Sequence, residues 1–342
     1  MNRRTFMLAA GALLTSGGRL AAEHHVISAN PLIVESEVWP PAGIYTTLED
    51  FYVRNHFQAP APSATGSLTV EGEVDKPTQF TLESFSGMAE RELGAVLECA
   101  GGPLSPLTLA SDGLWRGWPL AEILGRTQPR TSGTWLHLLG RDGFSRGVPI
   151  DRALKDGLLA TSLNGRPLAP NHGAPWRAFF PGWYGMDSVK WLEKIVVAAT
   201  PLPALDRTYL QITRQANGEL DAQFLPKIQV KSIITSPADG AVLQHDKIEV
   251  RGVAWSGAGR ISTVQVTADQ GVSWRTASVE SPGHDYDWIL WRATISLDRP
   301  GAVNLISRAT DTAGNTQPAS RDPRRADGYA YNVCHRIRCV VL

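Results

Sequence analysis

The 342-residue chain carries 33 basic and 33 acidic side chains, and a formal net charge of zero excludes nucleic acid as its main partner, because phosphate binding needs a clustered basic excess. A hydrophobic fraction of 43% is too high for a disordered chain, and three cysteines are too few for a disulfide-stapled scaffold. At roughly 100–200 residues per domain the length predicts about two domains.

The chain opens on Asn2-Arg3-Arg4-Thr5-Phe6-Met7, followed by an apolar run from Leu8 to Leu14 and small residues at Leu20-Ala21-Ala22. A paired-arginine start, a short apolar core and a small-residue end describe a Tat-type export signal over residues 1–22, which places the mature protein in the periplasm. No later apolar run is long enough for a membrane helix.

From about 45 to 200 the texture is mixed. Ser67–Gly72 and Lys194–Val197 read as strands, and Leu82–Leu93 and Pro119–Leu124 as helical pieces, which predicts an α+β domain over 23–205. Residues 206–227 read as a linker with Pro226 as a breaker. From 228 to 342, Lys247–Val253, Ile261–Val266 and Trp288–Ile295 alternate. Turn clusters at Pro237–Gly240, Asp269–Gly271 and Thr312–Asn315 lie between them, which predicts an all-β Ig-like sandwich.

Five segments are candidates for chemistry. Phe51-Tyr52-Val53-Arg54-Asn55-His56 groups donors suited to an anion or a polar heterocycle, or forms a polar strand edge. Leu97-Glu98-Cys99-Ala100-Gly101-Gly102 ends a short apolar run at a cysteine beside two glycines: a nucleophile, a metal ligand or a buried structural thiol. His172-Gly173-Ala174-Pro175-Trp176-Arg177 leads through Pro181-Gly182 to Ser188-Val189-Lys190-Trp191, a loop able to wrap a large phosphate-bearing cofactor or simply an irregular connection. Gly143-Phe144-Ser145-Arg146-Gly147 matches G-x-S-x-G, but Pro149 opposes the helix a nucleophile elbow requires. Cys334, His335 and Cys339 fit no common zinc spacing, and alternation puts the two cysteines on opposite faces of a final strand. The chain holds no P-loop and no G-x-G-x-x-G in a strand–helix setting.

Taken in chain order, blocks of this sequence resemble those of the sulfite oxidase family of molybdenum enzymes, from Phe51 to the C-terminus. Phe51–His56, Leu97–Gly101, Trp115-Arg116-Gly117-Trp118-Pro119-Leu120 and the His172–Leu192 run are similar to that family's blocks. Asp269–Trp274, Arg308–Asp311 and Tyr331–Arg336 resemble its dimerisation domain. The resemblance implies a sulfite-oxidase-type molybdopterin domain, a Mo-molybdopterin cofactor and a homodimer. Cys99 would ligate molybdenum. Tyr52, Asn55, His56, Asp142, His172, Arg177, Ser188, Val189 and Lys190 would hold the pyranopterin and its phosphate, while Arg54 would face the substrate anion and Tyr209 would stand in for an active-site tyrosine. It further implies oxo transfer between molybdenum and a sulfur compound such as sulfite. With no C-x-x-C-H for haem attachment, electrons would pass to an external acceptor, a c-type cytochrome.

The sequence also departs from the pattern. Sulfite oxidases usually continue from the cysteine as Ala-Gly-Asn-Arg-Arg, whereas this chain reads Ala100-Gly101-Gly102-Pro103-Leu104. The family's stretch Leu-Ala-Tyr-Glu-Met-Asn-Gly is Leu159–Gly165 here, and Ala326-Asp327 separate Arg324 and Arg325 from the Gly before which an arginine is expected. Two alternatives therefore stand beside sulfite: the same cofactor acting on an organic sulfur compound or a sulfoxide, or a non-catalytic periplasmic binding protein that kept the fold.

Overall fold

The computed structural model describes residues 24–37, 44–63, 66–104, 107–202, 209–244, 246–280 and 283–342. The export-signal stretch at 1–22 and the expected domain boundary at 205 lie outside them.

Strands dominate. Among the described residues the α-helices are Leu120–Thr127 and Ile150–Lys155, joined by 3-10 turns at Leu82–Phe85 and Pro170–His172. The α+β expectation therefore holds only in its mixed character, since the domain is mostly β. Ser67–Gly72 and Leu192–Ala198 are strands as expected and pair in parallel at the centre of a five-stranded sheet. The expected helix at Leu82–Leu93 is a correction. The 3-10 turn stops at Phe85, Gly87 takes φ +77°, and Arg91–Glu98 is a strand. Helix-forming residues there are overridden by eight registered pairs with strand Ala110–Pro119, a gain that local propensity cannot match. Trp118-Pro119-Leu120 does open a helix: Pro119 precedes it, and Leu120, Ile123, Leu124 and Thr127 bury one face.

The strand Arg91–Glu98 positions the site. It lies at the edge of a sheet that runs Arg166–Pro167, Leu158–Leu163, Ala110–Pro119, Arg91–Glu98. Its last six residues are all buried, so it does not alternate as a half-solvated strand would. The cover on its outer side comes from the second half of the chain, where the Val96 amide donates to the Tyr286 carbonyl at 2.9 Å.

Residues 209–227 carry an antiparallel hairpin, Leu210–Arg214 with Leu220–Phe224. Beyond it, a four-stranded sheet (Lys231–Ser236, Lys247–Trp255, Ile289–Ser296, Ser278–Glu280) faces a five-stranded one (Val242–Leu243, His335–Val341, Gly301–Asp311, Ile261–Thr267, Arg275–Thr276). Alternate residues of both sheets, among them Val250, Ile295, Val264, Leu305 and Ile337, fill one core between them. A separate buried cluster joins the two halves of the molecule: Val96, Ala100, Tyr184 and Met186 pack with Ile233, Val253, Trp255 and Trp288. The halves touch backbone to backbone at Gly257, where a Cβ would lie 2.1 Å from the Gly182 carbonyl oxygen. No helix among the described residues is long and apolar enough to cross a membrane.

Cys339 points into the sandwich core while Cys334 lies half-buried just before the strand, as alternation requires. No cluster of metal-ligating side chains forms around them or elsewhere among the described residues. His335 is buried and its Nδ1 accepts the Ile234 amide at 3.0 Å, so that nitrogen carries no proton. Burial pulls its pKa down to about 4 from 6.5. The unfolded chain then binds more protons between those values, and stability is lost as pH falls through that window. Denaturant titrations at pH 7 and 4.5 should show His335→Asn losing roughly 2 kcal/mol less than wild type over the interval; an equal loss would contradict the assignment.

Candidate functional site

Five chain segments converge on one cavity. Its walls include Tyr52, Arg54, His56, Cys99, Asp142, His172, Arg177, Ser188, Val189, Lys190 and Tyr209. Asn55 stands behind them, with its Oδ1 accepting from Lys190 Nζ. The site residues read from the sequence are thus brought together, from positions as far apart as 52 and 209.

Each is placed by a local cause. Cys99 follows the last residue of strand Arg91–Glu98; its amide donates to Leu109 O at 2.8 Å, and Gly102 N closes a turn onto Cys99 O at 2.9 Å. Arg54 ends the two-residue strand Val53–Arg54, paired with Leu32–Glu37. His172 ends a 3-10 turn, and Gly173 takes φ +104°, a conformation costly for any side chain-bearing residue. A backbone bridge between Arg177 and Lys190 folds the loop back on itself. Arg177 also donates to the His172 carbonyl at 3.3 Å, and the Ser188 hydroxyl accepts the Phe180 amide at 3.1 Å. Tyr209 takes φ +61°, packs on Tyr329 at 5.1 Å between ring centroids, and its hydroxyl meets His56 Nε2.

The electrostatics are those of an anion-binding cradle. Burial, reinforced by Arg54 and Lys190, pulls His56 down to about 4. Burial, with Lys190 and Arg177, does the same to His172. Both imidazoles are neutral at pH 7 and present one donor and one acceptor each. Burial and then Arg177 hold the Lys190 ammonium well below its ordinary value, with Asp142 opposing. Burial lowers Arg177 to about 10, still charged at neutral pH. Burial pushes the Tyr209 phenol up to about 12, so it stays a donor, and raises the Cys99 thiol and the Asp142 carboxyl. Among the described residues, two buried donors, Asn55 Nδ2 and Arg177 Nε, have no partner. Unsatisfied buried donors are costly, and two around one cavity fit a ligand that accepts from both. The cradle thus suits an anion with polar edges, and the Cys99 sulfur is placed to coordinate a metal carried by it.

The remaining wall near Cys99 is Leu97, Ala100, Phe144, Gly185 and Met186. These carry no chemical signature that a sequence could show, although Phe144 packs against His56, with ring centroids 4.5 Å apart and the rings tilted by 34°. Ser145 of the G-x-S-x-G match opens the strand Ser145–Pro149, and the helix begins only at Ile150, so no nucleophile elbow is built. Arg324 and Arg325 do not line the cavity: Arg324 pairs with Asp322 at 2.7 Å and Arg325 with Asp327 at 2.8 Å.

Residues 56–205 match the oxidoreductase molybdopterin binding domain family, and residues 223–341 match the Mo-co oxidoreductase dimerisation domain family. The mitochondrial sulfite oxidase of Drosophila melanogaster is 30% identical over 89% of this chain and 61% of its own length. The sulfite oxidase of Gallus gallus is 29% identical over 83% of this chain and 71% of its own. The nitrate reductase [NAD(P)H] of Hordeum vulgare is 29% identical over 81% of this chain but only 37% of its own, so the chain spans a part of these relatives. The crystal structure of the sulfane dehydrogenase SoxCD from Paracoccus pantotrophus superposes with a TM-score of 0.82 at 25% identity, over 92% of this chain and 87% of that one.

Proposed function

Because the chain belongs to the sulfite oxidase family of molybdopterin-dependent oxidoreductases, we propose that it is a periplasmic, Tat-exported enzyme that oxidises a sulfur-containing substrate such as sulfite and passes the electrons to a c-type cytochrome. The observation that supports this most is the convergence of one cysteine, three cations and two unpartnered buried donors on a single cavity. Bound there, Mo-molybdopterin supplies oxygen-atom transfer and two-electron redox chemistry, which no side chain offers. In this reading Cys99 ligates the metal. Arg177 and Lys190 meet the phosphate, while Asn55, His56, Tyr52, Asp142, His172, Ser188 and Val189 meet the pterin edges. Arg54 draws the substrate anion into the pocket, and the protonated Tyr209 hydroxyl, aligned by His56, donates a hydrogen bond to it. The second domain, an Ig-like sandwich in this reading, joins two copies into a homodimer.

The composition of the pocket favours a second reading. Gly102-Pro103-Leu104 replaces the usual arginines, Arg324 and Arg325 are held by Asp322 and Asp327, and Leu97, Phe144 and Met186 form an apolar wall. A doubly charged anion gains most from several cations in a dry site, whereas an organic sulfur compound gains from apolar contact. Metal analysis of the exported protein, with steady-state assays on sulfite, organic sulfides, sulfoxides and nitrate, separates the cases. We expect stoichiometric molybdenum and turnover of a sulfur compound. Efficient sulfite oxidation at low concentration would remove the second reading, activity on nitrate alone would remove both, and absence of molybdenum would leave a binding protein.

A further inference from the structure

The residue before the candidate metal ligand has a place of its own. Glu98 is 4% exposed, and its side chain reaches the second half of the molecule rather than the cavity. One carboxylate oxygen pairs with Lys231 Nζ and the other accepts Trp255 Nε1 at 2.8 Å. Lys231 is 3% exposed, and its ammonium lies 5.4 Å from the Tyr184 ring centroid. On the backbone side, the Glu98 carbonyl accepts the Gly185 amide at 2.7 Å, which ties the same residue to the loop that carries Ser188 and Lys190.

We propose that Glu98, Lys231 and Trp255 form a positioning network, through which the second domain fixes the Cys99 strand end against the 185–190 loop and balances the charge beside the Cys99 sulfur. Three features support this beyond ordinary packing. A buried ion pair is a poor source of stability compared with apolar residues of the same volume, so its location calls for another role. Both carboxylate oxygens are used, which fixes the rotamer of the residue bonded to Cys99. The Ala330 amide also donates to the Ala100 carbonyl at 2.8 Å, so the second domain holds the cysteine from both sides along the chain. The inference rests on Cys99 being the metal ligand.

The test compares the molybdenum midpoint potential, molybdenum content and melting temperature of the holoenzyme and its variants. Glu98→Gln leaves the Lys231 cation uncompensated near the sulfur, and the potential should rise. Lys231→Met leaves the Glu98 anion, and the potential should fall. The double variant E98Q/K231M should return towards wild type. A purely structural role would lower the melting temperature without oppositely signed shifts, and shifts of the same sign, or none, overturn the proposal. Should a single variant not fold, Trp255→Phe keeps both charges and loses one hydrogen bond. Its sulfur-to-molybdenum absorption band should move with little change in melting temperature, and an unmoved band overturns the proposal. Cys99→Ser, measured alongside, reports on the ligand assignment separately: a sulfur-to-molybdenum absorption band unchanged there removes that reading and this inference with it.

Discussion

Cys99→Ser is expected to yield a folded protein that keeps its cofactor but has an altered sulfur-to-molybdenum absorption band and no measurable turnover. The loss should exceed the roughly 10–100-fold typical of removing an outer-shell partner of a metal ligand. The fold should persist for a local reason. Cys99 is only half-buried, and what holds its place is its own amide on Leu109 O and its carbonyl beneath Gly102 N. A serine keeps both contacts, but its hydroxyl stays protonated near neutral pH and does not reproduce the charge a thiolate gives to the metal. Absorption spectroscopy together with a thermal melt decides the matter: an unchanged sulfur-to-molybdenum band with lost activity would move Cys99 from ligand to substrate group, and a collapsed melt would make it structural.

Lys190→Met should separate cofactor binding from folding. In the protein alone, Lys190 is a desolvated cation beside Arg177, with Nζ donating to Asn55 Oδ1 and to the Asn171 carbonyl at 2.9 Å. Replacing it removes a charge that burial disfavours but also takes the donor from Asn55 Oδ1 and the Asn171 carbonyl, so the melting temperature of cofactor-free protein should change little. The loaded protein should lose a charge-assisted hydrogen bond worth about 1.5–3 kcal/mol, and cofactor retention should drop about 10- to 150-fold. Lys190→Arg is a useful companion, since a planar fork cannot replace a point charge at the same Asn55 contact. If Lys190→Met binds cofactor as wild type does, Arg177 alone carries the anion.

How much of this was legible in the sequence depends on the range of the forces involved. The strands of the second half announced themselves, because Lys247–Val253 and Ile261–Val266 alternate between core and solvent and turn residues separate them. Arg91–Glu98 did not, because both its faces are covered and its buried run shows no period of two. The preceding Met88, Ala89 and Glu90 favour a helix locally, and only the pairing with Ala110–Pro119 decides otherwise. The site was legible where chemistry needs particular residue types: Cys99, the cations and the imidazoles, which the resemblance to a family had placed in order. Phe144 and Met186 line the same cavity but could equally have been core residues, and nothing near Lys231 or Trp255 in the sequence points to Glu98. Contacts across more than a hundred residues leave no local trace.

The cover that the second half of the chain lays over the strand Arg91–Glu98 also imposes a timetable. Residue 99 belongs to the first half of the molecule, yet the contacts that settle it involve Lys231, Trp255, Tyr286 and Ala330, all far downstream in the sequence. Until those residues are in place, the outer edge of that strand presents unpaired amide groups, a surface that other chains can join. The strand end that carries Cys99 is therefore settled only once the second half of the chain has packed against it.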